Sequence, residues 1–238
     1  MRTESTGRNP WKPTILTILA ALAFSAAVFV MWPPSQVELM WGAIFVAWVL
    51  LMVFKASKLV SRRLNKYIAR KFIHFTTGGL VAIAAPFIFE TPTVPIIGAV
   101  GMALMTIIPR FWGRDLDWYQ VENNFGDTWF CISFAVLFLL FWYVDKWIAV
   151  VPALFMAYGD GVTGIVRSII YKDWIKGWWG TVAMLAISLP IGAALKGVAG
   201  LISALAATAV EKMPQIDDNI TVPAVAAAVL YVLRGLGI

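Results

Sequence analysis

The sequence predicts an all-α polytopic membrane protein of about nine transmembrane helices, eight to nine by the apolar runs, with a basic amphipathic helix on the bilayer surface. Three observations lead there. Mean hydropathy is +0.80, and only 13% of the 238 residues are charged, too apolar a balance for a soluble domain. Apolar runs recur along the whole chain, many approaching the roughly 20 residues that cross a bilayer. Tryptophans gather near the ends of those runs (Trp11, Trp32, Trp112, Trp129, Trp147, Trp174, Trp178, Trp179), where indole prefers the headgroup zone.

In order, the predicted spans are 14–32, 38–54, 75–89, 94–109, 128–143, 147–166, 181–195, 197–210 and 222–237. No small-residue cleavage site precedes Trp32-Pro33-Pro34, so the first span is expected to stay as an anchor. Between the second and third, residues 55–73 read as the interfacial helix. Lys55, Lys58, Arg62, Lys66 and Arg70 recur at three- and four-residue steps, opposite Val60, Leu64, Tyr67, Ile68 and Phe72. Attraction to anionic headgroups accounts for most of these charges. The chain is expected to divide into a two-span region with this helix, 1–69, and a membrane catalytic domain, 70–238. Cys131, the sole cysteine, permits no internal disulfide and lies in an apolar run, where a buried inert thiol is expected.

If the N-terminus is cytoplasmic and nine spans alternate, sixteen of the nineteen Lys and Arg residues fall on the cytoplasmic side. Lys146, Lys196 and Arg234 fall on the other. This is the positive-inside pattern. Most of the acidic residues share the basic face, which predicts a reaction centre reached from the cytosol; a pore or proton relay would scatter charges through the membrane depth.

Four polar constellations lie on that face. Arg70 and Lys71 stand four and three residues before His74, the only histidine, and so share a helical face suited to gripping phosphate. Gly159-Asp160-Gly161-Val162-Thr163-Gly164 satisfies a dinucleotide fingerprint literally, but the strand and βαβ setting are missing, so a Rossmann site is excluded. On a helix, Asp160, Thr163, Gly164 and Arg167 share one face, and the glycines clear room for a ligand or for a neighbouring helix. Asp160, a carboxylate within apolar sequence, would gain from Mg²⁺, which favours carboxylate and phosphate oxygens. Arg167, Lys172 and Lys176 lead into Gly177-Trp178-Trp179-Gly180-Thr181, a basic and glycine-containing anion cradle. Glu211, Pro214, Asp217, Asp218 and Asn219 offer oxygens for one or two metal ions. A further acidic stretch, Asp115, Asp117, Glu122 and Asp127, reads as a solvated loop.

Taken in order, Arg70-Lys71-x-x-His74, Gly159-Asp160-Gly161 with Gly164, Lys176-x-x-x-Gly180-Thr181 and Asp217-Asp218-Asn219-x-x-Val222-Pro223 resemble the dolichol kinase and phytol kinase family over about 70–238. The last segment looks most like the phytol kinase branch. The resemblance implies a membrane-embedded enzyme that transfers the γ-phosphate of CTP, or another nucleoside triphosphate, to the hydroxyl of a long isoprenoid alcohol with a divalent cation. It departs from the dolichol branch at Trp179, where that branch carries an acid. Carried onto this chain, Asp160, Asp217, Asp218 and Glu211 would ligate Mg²⁺. Arg70, Lys71, Gly161, Gly164, Arg167, Lys172, Lys176, Gly180, Thr181 and Asn219 would contact the nucleotide. Asp160, Asp218 and His74 would be catalytic. The expected partners are the isoprenoid alcohol, the nucleotide and a bilayer with anionic headgroups, and a nucleic acid is not among them. Alternatives are a CTP-dependent diacylglycerol kinase, a phosphatidate cytidylyltransferase-like enzyme and, in another class, a lipid transporter.

Overall fold

Four polar residues start helices by satisfying backbone N–H groups that have no partner within the first turn. Ser35 accepts from Glu38 N, and the Glu38 carboxylate accepts from Ser35 N in return, a capping box. Asn65 accepts from Ile68 N (2.8 Å), Asp145 from Trp147 N (2.9 Å) and Asp217 from Asn219 N (2.9 Å). The computed structural model describes residues 9–170, 177–213 and 216–238. Within them the chain is 83% helix, with no strand.

The helices are α1 (Trp11–Met31), α2 (Gln36–Arg63), α3 (Lys66–Ile88), α4 (Thr93–Phe111), α5 (Gly126–Phe141), α6 (Lys146–Ile170), α7 (Trp178–Glu211) and α8 (Asp218–Gly235). By length and composition six of them, α1 to α4, α6 and α7, could cross a membrane. Nine spans were predicted, and three features separate the two numbers. The α5 helix has only 16 residues. The α8 helix opens on Asp218 and Asn219. The 34 residues of α7 are two helical pieces, because Gly197 takes a non-helical conformation inside it (φ 55°, ψ −130°). At that break the chain folds back on itself, since Gly192 and Gly200 meet backbone to backbone. Glycine is required there twice over, for the positive φ and for the close approach.

The predicted interfacial helix 55–73 is corrected. Leu64 leaves helical geometry, and the Asn65 cap begins a new helix, so Lys55, Lys58 and Arg62 end α2 whereas Lys66, Arg70 and Lys71 start α3. Lys55, Arg62, Arg63 and Lys66 are at least partly exposed, as a headgroup-facing cluster requires; Arg70 and Lys71 are buried. The predicted division between residues 69 and 70 falls inside α3.

The core gathers around α6, whose Ile148–Ala157 stretch is buried throughout, against Phe130, Phe134 and Phe138 of α5 and Ala226, Ala227 and Leu230 of α8. Charges mark both ends of the molecule. At the end carrying Asp145 and the Gly197 turn, Lys196 pairs with Asp145 (2.8 Å), and Glu38 accepts from the backbone of Glu90 and Thr91. The candidate site lies at the other end.

A glycine-to-alanine change inside a helix normally stabilises by about 0.5–1 kcal/mol. Gly200→Ala should do the reverse, because its β-carbon would collide with the Gly192 carbonyl, while Gly101→Ala, with nothing within 4 Å, should be neutral or stabilising. Thermal unfolding of the two variants in detergent checks this.

Candidate functional site

The site is assembled from α3, α6, α7 and α8, and each contributes its charged residue at a helix end or beside an irregular turn. A π-helical turn, Phe155–Gly159, immediately precedes Asp160, and a second, Phe75–Gly79, immediately follows His74. Such turns insert one residue and rotate the remainder of the helix, and they occur often at functional sites. The two lie against each other: Phe75 stacks on Tyr158 at 5.5 Å, and Tyr158 Oη donates to Phe75 O (3.3 Å). They place the faces carrying Lys71 and Asp160 opposite one another.

Lys71 Nζ reaches Asp160 Oδ2 at 2.7 Å, with both side chains buried. Two turns further along α6, Arg167 pairs with Glu211, which is completely buried at the end of α7. Glu211 and Asp218 then join Asp160: one carboxylate oxygen from each of the three lies within 4.8 Å of the others. The hard oxygen donors that suit Mg²⁺ are therefore present in one place.

The 217–219 turn divides its labour. Asp218 turns toward Asp160 and Glu211, whereas Asp217 caps α8 and accepts from Asn219 N and Nδ2 (2.9 and 2.8 Å). Asp217 Oδ2, Asn219 Nδ2 and Arg70 Nη2 all crowd the space where Gly126 lacks a β-carbon. Arg70 Nη1 also donates to Asn124 Oδ1 (2.8 Å). Of the predicted metal ligands, then, Asp160, Asp218 and Glu211 cluster, and Asp217 faces Arg70 and Asn219.

The glycines predicted to clear space for a nucleotide clear it for the protein's own side chains. A β-carbon on Gly161 would strike Phe75, one on Gly164 would strike Lys71 and Tyr67, and one on Gly180 would strike Arg167. The last two seat the cationic stems that reach the carboxylates. Thr163 Oγ1 lies within hydrogen-bond reach of Gly159 O and Gly180 O (2.9 and 3.1 Å), tying α6 to the start of α7, and Thr181 is buried beside them. Lys172, Lys176 and Pro214 lie outside the described residues.

On the far side of α3 is a cavity of about 600 Å³ bounded by α2, α3, α4 and α5. Its walls are apolar, among them Phe45, Val49, Val81, Met102, Met105 and Phe134. Its polar lining is concentrated at the end nearest the acidic cluster, in Arg70, His74, Thr106, Tyr119 and Asp127. Arg70, Ile73, His74 and Thr77, at three- and four-residue steps, present one α3 face to it. His74 is 3% exposed, stacks on Phe130 at 4.1 Å, and its Nδ1 has no partner among the described residues.

Sequence reasoning missed Asp127 and its setting. Asp127, read as part of a solvated loop, is buried at the start of α5, where Arg110 Nη2 spans both its oxygens (3.1 and 3.3 Å) and Gln120 donates to it. Asp117 and Glu122 are exposed as predicted. A signal was present: Asp127 opens an apolar run just as Arg110 closes the preceding one, and a first-turn acid facing a last-turn base is a common helix-end arrangement. Tyr119 is also buried, and burial together with the Asp127 carboxylate pushes its phenol far above the usual range, so it remains a hydrogen-bond donor. No family model, curated protein or solved structure matches this chain.

Removing one partner of a buried ion pair strands the other charge, at a cost of about 3–5 kcal/mol. Lys71→Met should therefore destabilise strongly, and Lys71→Met combined with Asp160→Asn should recover much of the loss. A double-mutant cycle by chemical unfolding in detergent reads the coupling.

Proposed function

We propose that the protein is a membrane-embedded lipid kinase that transfers the γ-phosphate of CTP, or another nucleoside triphosphate, to the hydroxyl of a long isoprenoid alcohol. The observation that supports it best is the position of α3. Its Lys71 face meets three clustered carboxylates suited to a cation and phosphates, and its Arg70–His74 face meets an apolar cavity with a polar end. A phosphate donor and a greasy acceptor would thus each meet a face of the same helix, α3.

In this reading Asp160, Glu211 and Asp218 would hold Mg²⁺, which neutralises phosphate charge when bound. Lys71 and Arg167 offset the carboxylates' mutual repulsion before substrate arrives, and they offer their cationic ends to the triphosphate. Arg70, between Asp217 and the cavity, is placed to meet the transferred group. The acceptor oxygen bonds to the γ-phosphorus as the bond from that phosphorus to the β,γ-bridging oxygen breaks; the hydroxyl proton passes to a nearby carboxylate or to His74. The isoprenoid tail would enter from the bilayer between helices, because exposing it to water costs about 0.8 kcal/mol per CH₂. The excess of basic residues at the site's end of the molecule supports a cytoplasmic active site and N-terminus, and nine crossings are the topology consistent with it.

Asp160→Asn should reduce phosphorylation by roughly a hundredfold or more, as loss of a transition-state electrostatic group does, while the solubilised protein, less stable because Lys71 loses its buried partner, keeps its elution volume and helicity below its lowered unfolding transition. A chelator should abolish wild-type turnover, and added Mg²⁺ should restore it. The assay uses purified protein, four γ-labelled nucleoside triphosphates and cytosine-labelled CTP, with phytol, geranylgeraniol, dolichol, diacylglycerol and phosphatidate. Near-normal turnover in Asp160→Asn contradicts the role given to that carboxylate, and label from the cytosine rather than the γ-phosphate in lipid identifies a cytidylyltransferase.

A further inference from the structure

Besides Arg70 Nε, two buried polar atoms of residues lining the polar end of the apolar cavity have no hydrogen-bond partner among the described residues: His74 Nδ1 and Tyr119 Oη. They come from different elements, α3 and the segment joining α4 to α5. Each residue is at most 3% exposed, so bulk water does not reach them freely, and a buried unsatisfied polar group is costly unless something completes it. Packing fixes both. His74 stacks on Phe130, and Tyr119 is wedged among Val53, Ala69 and Ile73 with Trp118 edge-on against it. Asp127 beside them is already engaged by Arg110 and Gln120, which makes it a fixed wall rather than an adaptable contact.

A hydroxyl group both donates and accepts one hydrogen bond readily. A phenol donating into its oxygen and an imidazole nitrogen receiving its proton satisfy both functions at once. We infer that Tyr119 Oη and His74 Nδ1 form the seat for the acceptor alcohol's hydroxyl, with Tyr119 as the residue that positions its oxygen and distinguishes an alcohol from the same chain without one. The cavity behind them fixes the class of ligand further. Its lining runs along α4 from Thr93 to Thr106, roughly 20 Å at about 1.5 Å per residue. That depth takes a single extended chain of about sixteen carbons, at roughly 1.25 Å for each projected carbon–carbon bond. The far wall, at Phe29, Phe89, Thr93 and Val94, carries no charged residue to greet a second headgroup.

The inference rests on the lipid-kinase reading for its purpose, but its test does not need turnover. The measurement is equilibrium binding of tritiated geranylgeraniol to the purified full chain in detergent, with the matching hydrocarbon lacking the hydroxyl as a separate ligand. Tyr119→Phe should weaken the alcohol by about three- to tenfold, the loss of one neutral hydrogen bond, and leave the hydrocarbon unchanged. The same variant, free of ligand, should unfold at the same or a higher temperature, because it removes an unsatisfied hydroxyl without changing shape. A diazirine placed next to the hydroxyl of the alcohol should label the peptides containing His74 or Tyr119 in the wild-type protein. Unchanged alcohol binding in Tyr119→Phe, an equal loss of alcohol and hydrocarbon, or labelling confined to other peptides overturns the seat. If the wild-type protein binds the alcohol in a Tyr119-dependent manner yet passes phosphate to it from none of the four nucleotides, the seat stands and the kinase reading falls.

Discussion

The structure depends on neutralising carboxylates that several helices bring together in an apolar interior. Asp160 and Glu211 are 3% and 0% exposed, and ionised acids in such surroundings persist only when paired or hydrogen-bonded. Lys71 and Arg167 provide the pairing. Because the two cations come from α3 and α6 and the acids from α6 and α7, each pair also fixes the relative position of two helices. Replacing these residues with apolar ones of the same volume would often be as stable. That a protein of this composition keeps them, clustered with Asp218, is the reason to treat the place as a site.

Small residues make the pairing possible. Long cationic side chains need room to extend between packed helices, and Gly126, Gly164 and Gly180 give it to Arg70, Lys71 and Arg167 respectively. This changes how the glycine-rich island around Asp160 is understood. Its open face is spent on seating the protein's own side chains, and any phosphate would meet those charges rather than bare backbone. The π-helical turns before Asp160 and after His74 serve the same end by setting the rotation of α6 and α3.

Much of this was legible in the sequence. Each of the eight described helices overlaps a predicted apolar run, and the break at Gly197 falls at the junction of the predicted runs 181–195 and 197–210. The clustering of Asp160 with the 217–219 turn agrees with the placing of all these charges on one face. Other features were not legible for identifiable reasons. The stretch 55–73 keeps a continuous amphipathic period across Leu64, so only the Asn65 cap betrays two helices there. A π-turn has no residue signature, and the partners of the glycines are set by tertiary packing. Asp217 and Asp218 are adjacent and alike; the cap geometry of α8 decides which one faces the cluster. Asp127 looked solvated because its neighbours Asp117 and Glu122 are, and its burial follows from Arg110, seventeen residues earlier, a pairing visible only when the two helix ends are matched across the segment between them.

The central claim is that Asp160, Glu211 and Asp218 act together as a divalent-cation site beside a nucleotide. Electron paramagnetic resonance of Mn²⁺, titrated into the purified protein with and without CTP, tests it most directly. The account predicts one tightly bound ion per chain in the presence of CTP, coupled to phosphorus nuclei, and its loss in Glu211→Gln. Mn²⁺ that stays free in solution with nucleotide present, or binds equally well once all three carboxylates are converted to amides, would contradict it.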